Sequence, residues 1–145
     1  VLFLETSGLL KLLVQEAFSE IAREAFLAAD SVGACAFALT ESTGVLHAMH
    51  RDGRLSRPQF RKALRELYDL WEGLTVVVPG YATFQAAAEL CAKEPLKGAD
   101  AVHLQAALDL QALGARPLFL TFDRTLYRVA KARGLAVVAV PSFDS

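Results

Sequence analysis

The sequence predicts an α/β domain of three layers, a mainly parallel five-stranded sheet between two layers of helices, formed as one unit by residues 1–145. Three observations predict it. Five short apolar runs, Val1–Leu4, Val32–Phe37, Thr75–Val78, Pro117–Thr121 and Leu135–Val140, are nearly continuous, as strands covered on both faces are. Longer segments with helical period separate them, so strand followed by helix repeats along the chain. No linker, repeat or low-complexity tract divides the 145 residues, a length that buries a core within one domain.

Each element has its own signal. Val1-Leu2-Phe3-Leu4 reads as the first strand, and Glu5 ends it, with the Thr6 and Ser7 hydroxyls placed to cap a helix. From Ser19-Glu20 onward, Ile21, Ala25 and Ala28 fall on one face. Val32–Phe37 is the second strand, weakened by Gly33 and the alanines around it, and Glu41 sits early in the helix that follows. From Arg57, residues Phe60, Leu64, Leu67, Tyr68 and Trp71 form an apolar stripe; Pro58 suits its first turn and Gly73 ends it. Tyr81–Lys93, Ala99–Leu113 and Arg124–Arg133 read as further helices, with Gly114 and Gly134 where C-terminal caps belong.

Composition excludes several classes. Hydrophobic residues make up 54% and charged ones 21%, which a disordered chain does not show. The longest uncharged run, the 16 residues from Gly73 to Ala88, is broken by Pro79-Gly80 and Gln85, so no membrane-spanning helix is expected. No basic segment precedes the apolar start, and Glu5 and Lys11 interrupt it, so a secretory leader is not expected either. Cys35 and Cys91 lie in apolar stretches without C-x-x-C pairing and read as reduced, buried thiols of a cytoplasmic protein. No G-x-G-x-x-G, phosphate-binding loop or G-x-S-x-G occurs, so nucleotide cofactors and serine-hydrolase chemistry lack support. The balance of 15 basic and 16 acidic residues argues against a uniformly basic surface but leaves local clustering open.

Open α/β sheets bind ligands outside the carboxyl ends of their strands, which singles out the acids found there. Glu5 follows the first strand and Asp123 follows Leu118–Phe122; Asp100 starts the helix after Lys97-Gly98, and Glu41 lies in the apolar stretch from Ala34 to Leu46. Asp100 and Asp123 can each be a helix cap and nothing more. Carboxylates gathered at one edge would repel each other unless a cation compensates them, and an oxygen-only donor set favours Mg²⁺ or Mn²⁺ over Zn²⁺. Such an ion activates water and neutralises a phosphoryl group during hydrolysis.

At these positions the sequence resembles the PIN-domain ribonucleases, and among them the VapC-type toxins of toxin–antitoxin pairs. Leu2–Leu12 resembles the family's first strand, Glu41 with Val45-Leu46 and Arg51 its second motif, Gly98–Ala107 its Asp-Ala-x-His-Leu segment, and Leu118–Leu126 its last acidic motif. The resemblance implies an α/β/α sandwich whose acids hold one or two Mg²⁺ or Mn²⁺ ions and cleave single-stranded RNA. Glu5, Asp100 and Asp123 would be metal ligands, Glu41 a ligand or a group orienting the attacking water, and Thr6 and Thr121 supporting hydroxyls. It also implies a homodimer and a cognate antitoxin. The family's leading acid is usually Asp, and here it is Glu5. Displacing a carboxylate by about 1 Å can cost on the order of 100-fold in rate, so a catalytically weak module acting through dimer, antitoxin or RNA binding stands as the alternative.

The remaining residues of interest carry weaker signals. His103 reads as a helix residue packed near the sheet, bonding backbone, and His47 and His50 lack partners for a zinc site. Between Arg51 and Arg65 lie six basic residues and one acid, Asp52. They form either a solvated face or a set of phosphate contacts; Arg51, Arg54, Arg124 and Arg128 are the candidates for RNA binding.

Overall fold

The computed structural model describes residues 1–145. Its elements run β1 (Leu2–Leu4), α1 (Thr6–Leu13), α2 (Ser19–Ala28), β2 (Val32–Cys35), α3 (Phe37–Arg51), α4 (Arg57–Glu72), β3 (Thr75–Val77), α5 (Tyr81–Lys93), α6 (Gly98–Ala112), β4 (Leu118–Leu120), α7 (Arg124–Ala132) and β5 (Ala136–Val137), closed by a short 3₁₀ turn at Pro141–Phe143. The five strands form one sheet in the order β3-β2-β1-β4-β5, and every neighbouring pair is parallel. The expected α/β class and five-stranded parallel sheet are both present.

Strand periodicity explains the two-sided core. Phe3, Cys35 and Phe119 turn to one face, where they meet Leu90 of α5, Val102 and Leu104 of α6, and Leu126 and Val129 of α7. Leu2, Leu4, Ala34 and Leu120 turn to the other, against Leu9, Ala22, Leu46 and Leu67 of α1 to α4. Phe3 and Phe119 stack across adjacent strands with ring centroids 6.0 Å apart. All three residues of β1 are buried, which is why its sequence is apolar without alternation.

Several boundaries are tighter than the apolar runs suggest. Val32–Phe37 is a strand only to Cys35, and Phe37 already opens α3. Leu135–Val140 contributes only Ala136–Val137 to the sheet, with Val138 adding one hydrogen bond to the Phe119 carbonyl at 2.9 Å. Thr6 and Ser7 are not the cap of α1; Glu5 is, accepting the Ser7 amide at 3.0 Å. Of the two thiols, Cys35 is buried but Cys91 only half-buried, and both are free. His47 and His50 pack on the Phe60 ring at 4.8 and 4.7 Å, which accounts for them as structural residues.

The topology decides where a site can form. β1 lies at the centre, with β2 on one side and β4 on the other, so the connections leaving β1 and β4 diverge at their carboxyl ends. The Glu5 amide donates to the Leu120 carbonyl at 3.1 Å, holding the two strand ends side by side. The first residues of α1, α3 and α7 therefore leave from one edge of the sheet.

Candidate active site

Four elements carry acids to this edge. Glu5 ends β1, Glu41 lies in the second turn of α3, Asp100 in the first turn of α6, and Asp123 caps α7. Glu5 is only 5% exposed. Its Oε2 accepts from the Ser7 amide at 3.0 Å, the Ser7 hydroxyl at 2.5 Å and the Thr121 hydroxyl at 2.8 Å. The Ser7 hydroxyl also accepts the Phe122 amide at 2.7 Å, tying α1 to the end of β4. Burial pushes the Glu5 carboxyl above its ordinary range, more strongly than these donors and His103 pull it down.

Glu41 is held differently. Its Oε1 accepts the Thr6 hydroxyl at 2.9 Å and a hydrogen bond from His103 Nε2. The His103 hydrogen bond, foremost, keeps the Glu41 carboxyl below the usual range. His103 is fully buried; Nε2 bonds Glu41, and Nδ1 has no hydrogen-bond partner in the protein. The expected bond to backbone is therefore replaced by one to a site carboxylate. Thr6 Oγ1 lies 3.3 Å from the same nitrogen, so α1, α3 and α6 meet at one point.

Asp100 has no hydrogen bond from the protein, so the cap explanation fails for it: Lys97 occupies the cap position of α6. Burial first, then the negative charges of Asp123 and Glu41, raise its carboxyl above the ordinary value. Asp123 does cap its helix, accepting the Leu126 amide at 2.8 Å through Oδ1, and its own amide donates to the Thr121 hydroxyl oxygen at 3.2 Å. No lysine or arginine is ion-paired with Glu5, Glu41, Asp100 or Asp123.

One pattern recurs. Glu5, Glu41 and Asp123 each commit a single oxygen to protein donors and leave the other unbonded, while Asp100 leaves both. A carboxylate anchored by one oxygen is oriented and still has a free ligand atom. As the side chains stand, no three His, Cys, Asp or Glu groups are close enough to hold an ion among them.

Thr6 and Thr121, expected as supporting hydroxyls, touch Glu41 and Glu5 respectively. Ser7 and His103 join them as site-building residues that sequence reasoning placed elsewhere, as a cap and as packing. The candidate RNA contacts are dispersed. Arg51 ends α3, ten residues and about 15 Å of helix beyond Glu41, and Arg54 pairs with Asp52 at 3.2 Å. Arg124 directly follows Asp123, its guanidinium 5.0 Å from the Phe143 ring centroid, and Arg128 lies one turn further along α7.

Comparison with known proteins identifies the family. The family model of the PIN domain matches residues 2–132. The chain belongs to the PIN-domain family. Two similar PIN-domain relatives, Ribonuclease VapC45 and Ribonuclease VapC49 from two strains of Mycobacterium tuberculosis, are each 30% identical over 138 residues, covering 94% of this chain and 94% of theirs. Among solved structures, the crystal structure of Mycobacterium tuberculosis VapC20, described as a sarcin-ricin loop cleaving toxin, superposes with a TM-score of 0.67 at 16% identity. That match covers 89% of this chain and 95% of VapC20, so the PIN-domain fold is shared along nearly the whole length.

Proposed function

We propose that the chain is a metal-dependent endoribonuclease of the VapC type, hydrolysing phosphodiester bonds of single-stranded RNA as the toxin of a toxin–antitoxin pair. The observation that carries this reading is the gathering of four acids from four separate elements at one sheet edge, with no lysine or arginine paired to them and with Asp100 raised by burial and then by the charges of Asp123 and Glu41. A fold tolerates such repulsion where a cation is to be bound. The donors are all carboxylate oxygens, which suits Mg²⁺ or Mn²⁺. Glu5, Asp100 and Asp123 would hold the ion, directly or through water, by oxygens not committed to protein donors, and Glu41 would join them or orient the attacking water. Bound there, it would lower the pKa of water and offset phosphoryl charge.

The chain's own residues do the positioning. Thr121 and Ser7 orient Glu5, and His103 with Thr6 fixes Glu41. Arg124, beside Asp123, would meet a phosphate entering the site. A cognate antitoxin, a homodimer and a cytoplasmic location accompany this reading; no helix is long and apolar enough to cross a membrane. Only the length of Glu5 favours the alternative of a weak binding module, and its snug hydroxyl cradle fits a site adapted to Glu. The test is cleavage of a single-stranded RNA by the purified chain with Mg²⁺ or Mn²⁺. Activity should vanish with a chelator and in Asp100→Asn; cleavage that survives both would refute the assignment.

A further inference from the structure

Helix α4 carries its charges in the wrong order for its own stability. Arg57, Arg61, Lys62 and Arg65 occupy its first nine residues, and Glu66, Asp69 and Glu72 its last seven. A helix presents partial positive charge at its N-terminus and partial negative charge at its C-terminus, so both groups oppose the dipole. The first turn contains no acid and the last turn no base. The helix is held instead by its capping box, Ser56 with Gln59, and by the burial of Ala63 and Leu67. Charge placed against helix stability calls for another reason.

The basic residues are also incompletely neutralised. Lys62 pairs with Glu66 at 3.7 Å and Arg54 with Asp52, but Arg57, Arg61 and Arg65 form no ion pair, although Asp69 lies one turn beyond Arg65. Spaced at i, i+4 and i+8, the three exposed guanidiniums share a face that borders the buried stripe, and they repel one another. With Pro58 they line a shallow hollow of about 310 Å³ that contains no carboxylate. Tyr68, expected in the apolar stripe, is instead 52% exposed at its margin; at i+11 from Arg57 it lies in line with the arginine row.

We propose that this face of α4 binds the backbone of single-stranded RNA outside the acid cluster, with Arg57, Arg61 and Arg65 on successive phosphates and Tyr68 stacking a base. Charge complementarity demands a polyanion. The exposed aromatic among the arginines selects a nucleic acid over an acidic peptide, since every base offers a face to stack and an acidic side chain does not. The inference rests on the ribonuclease reading for its choice of polyanion. The face supplies affinity with little sequence preference, and choice of the cleaved bond stays with the acid site.

The test measures binding of a fluorescent oligo(A) ribonucleotide in chelator, where no metal-dependent cleavage occurs, across a range of salt concentrations. The Arg57→Gln, Arg61→Gln, Arg65→Gln triple variant should bind more weakly, with the slope of log affinity against log salt shallower by about 2, near 0.7 per lost phosphate contact. Tyr68→Ala should bind about tenfold more weakly with its slope unchanged. The triple Arg→Lys variant should restore most of the slope. All the altered side chains are exposed, and circular dichroism verifies that each variant is folded. An unchanged slope in the triple Gln variant overturns the proposal. So does loss of oligo-glutamate binding with oligo(A) binding retained, which would assign the face to an acidic protein segment. Failure of the ribonuclease reading is seen separately, as absent cleavage with Mg²⁺ or Mn²⁺ whatever the binding slope.

Discussion

Replacing Gly8 with alanine tests how closely α1 must approach the sheet. A Cβ at Gly8 would stand 2.6 Å from the Leu120 carbonyl oxygen and 2.9 Å from Leu120 Cγ. Ordinary contact begins at 3.4 Å, so α1 would have to retreat by about 0.8 Å (3.4 − 2.6). The obstacle is backbone of a central strand and cannot rotate away. Overpacking of this kind costs about 1 to 3 kcal/mol, and the better helix propensity of alanine offsets up to about 1 kcal/mol. A net loss of about 1 to 2 kcal/mol lowers Tm by about 3 to 7 °C for a chain of this size. The retreat also draws Thr6 and Ser7 away from Glu41 and Glu5, and misplacement approaching 1 Å can cost on the order of 100-fold in rate. Gly44 is the control: it lies within α3 with nothing within 4 Å of its Cβ direction, so Gly44→Ala should stabilise by about 0.5 to 1 kcal/mol. Thermal melts by circular dichroism, with RNA cleavage measured where each variant is folded, decide the matter. If Gly8→Ala matches Gly44→Ala in both Tm and rate, the close-approach argument is wrong.

Three further outcomes follow from the site. His103→Ala should destabilise by about 2 to 4 kcal/mol through lost packing and should slow cleavage by freeing Glu41; unchanged cleavage in the folded variant would remove His103 from the site. Glu5→Asp shortens the side chain away from Ser7 and Thr121, and a buried hydroxyl left without its partner costs about 1 to 3 kcal/mol. Both Tm and cleavage should fall, whereas a gain in cleavage would favour the degenerate-module reading. Glu5 also imposes a pH dependence: its carboxyl titrates above the ordinary 4.5 in the fold, so the folded state holds that proton more tightly than the unfolded chain. In chelator, its contribution to stability is complete below about 4.5 and lost as pH rises through the folded value. Glu5→Gln should flatten that decline, and parallel pH courses for the two proteins would contradict the buried-carboxylate account.

The legible parts of this molecule are those set by local pattern. Val1–Leu4 and Pro117–Thr121 announce central strands because both faces of the strands they contain are covered, and the acids after them stand out against apolar neighbours. Gly114 and Gly134 mark helix ends because each adopts positive φ, 97° and 83°, which other residues resist. What escapes the pattern is pairing across elements. His103 and Glu41 are 62 residues apart, and their contact depends on how α6 crosses the start of α3. Ser7 looks like a cap because a hydroxyl after a strand usually is one; only the adjacency of β1 and β4 shows it bridging Glu5 and the Phe122 amide. The run from Arg51 to Arg65 is one cluster in sequence, but the turn between α3 and α4 separates Arg51 and Arg54 from the arginine row of α4.

The central claim is that Glu5, Glu41, Asp100 and Asp123 share a divalent cation. The most direct measurement is anomalous diffraction from crystals of the chain soaked in Mn²⁺. The account predicts a peak among those four carboxylates, lying about 2 to 2.6 Å from their bound oxygens and absent in Asp100→Asn. A well-ordered site in which these carboxylates stay apart and Mn²⁺ binds elsewhere, or nowhere, would contradict it.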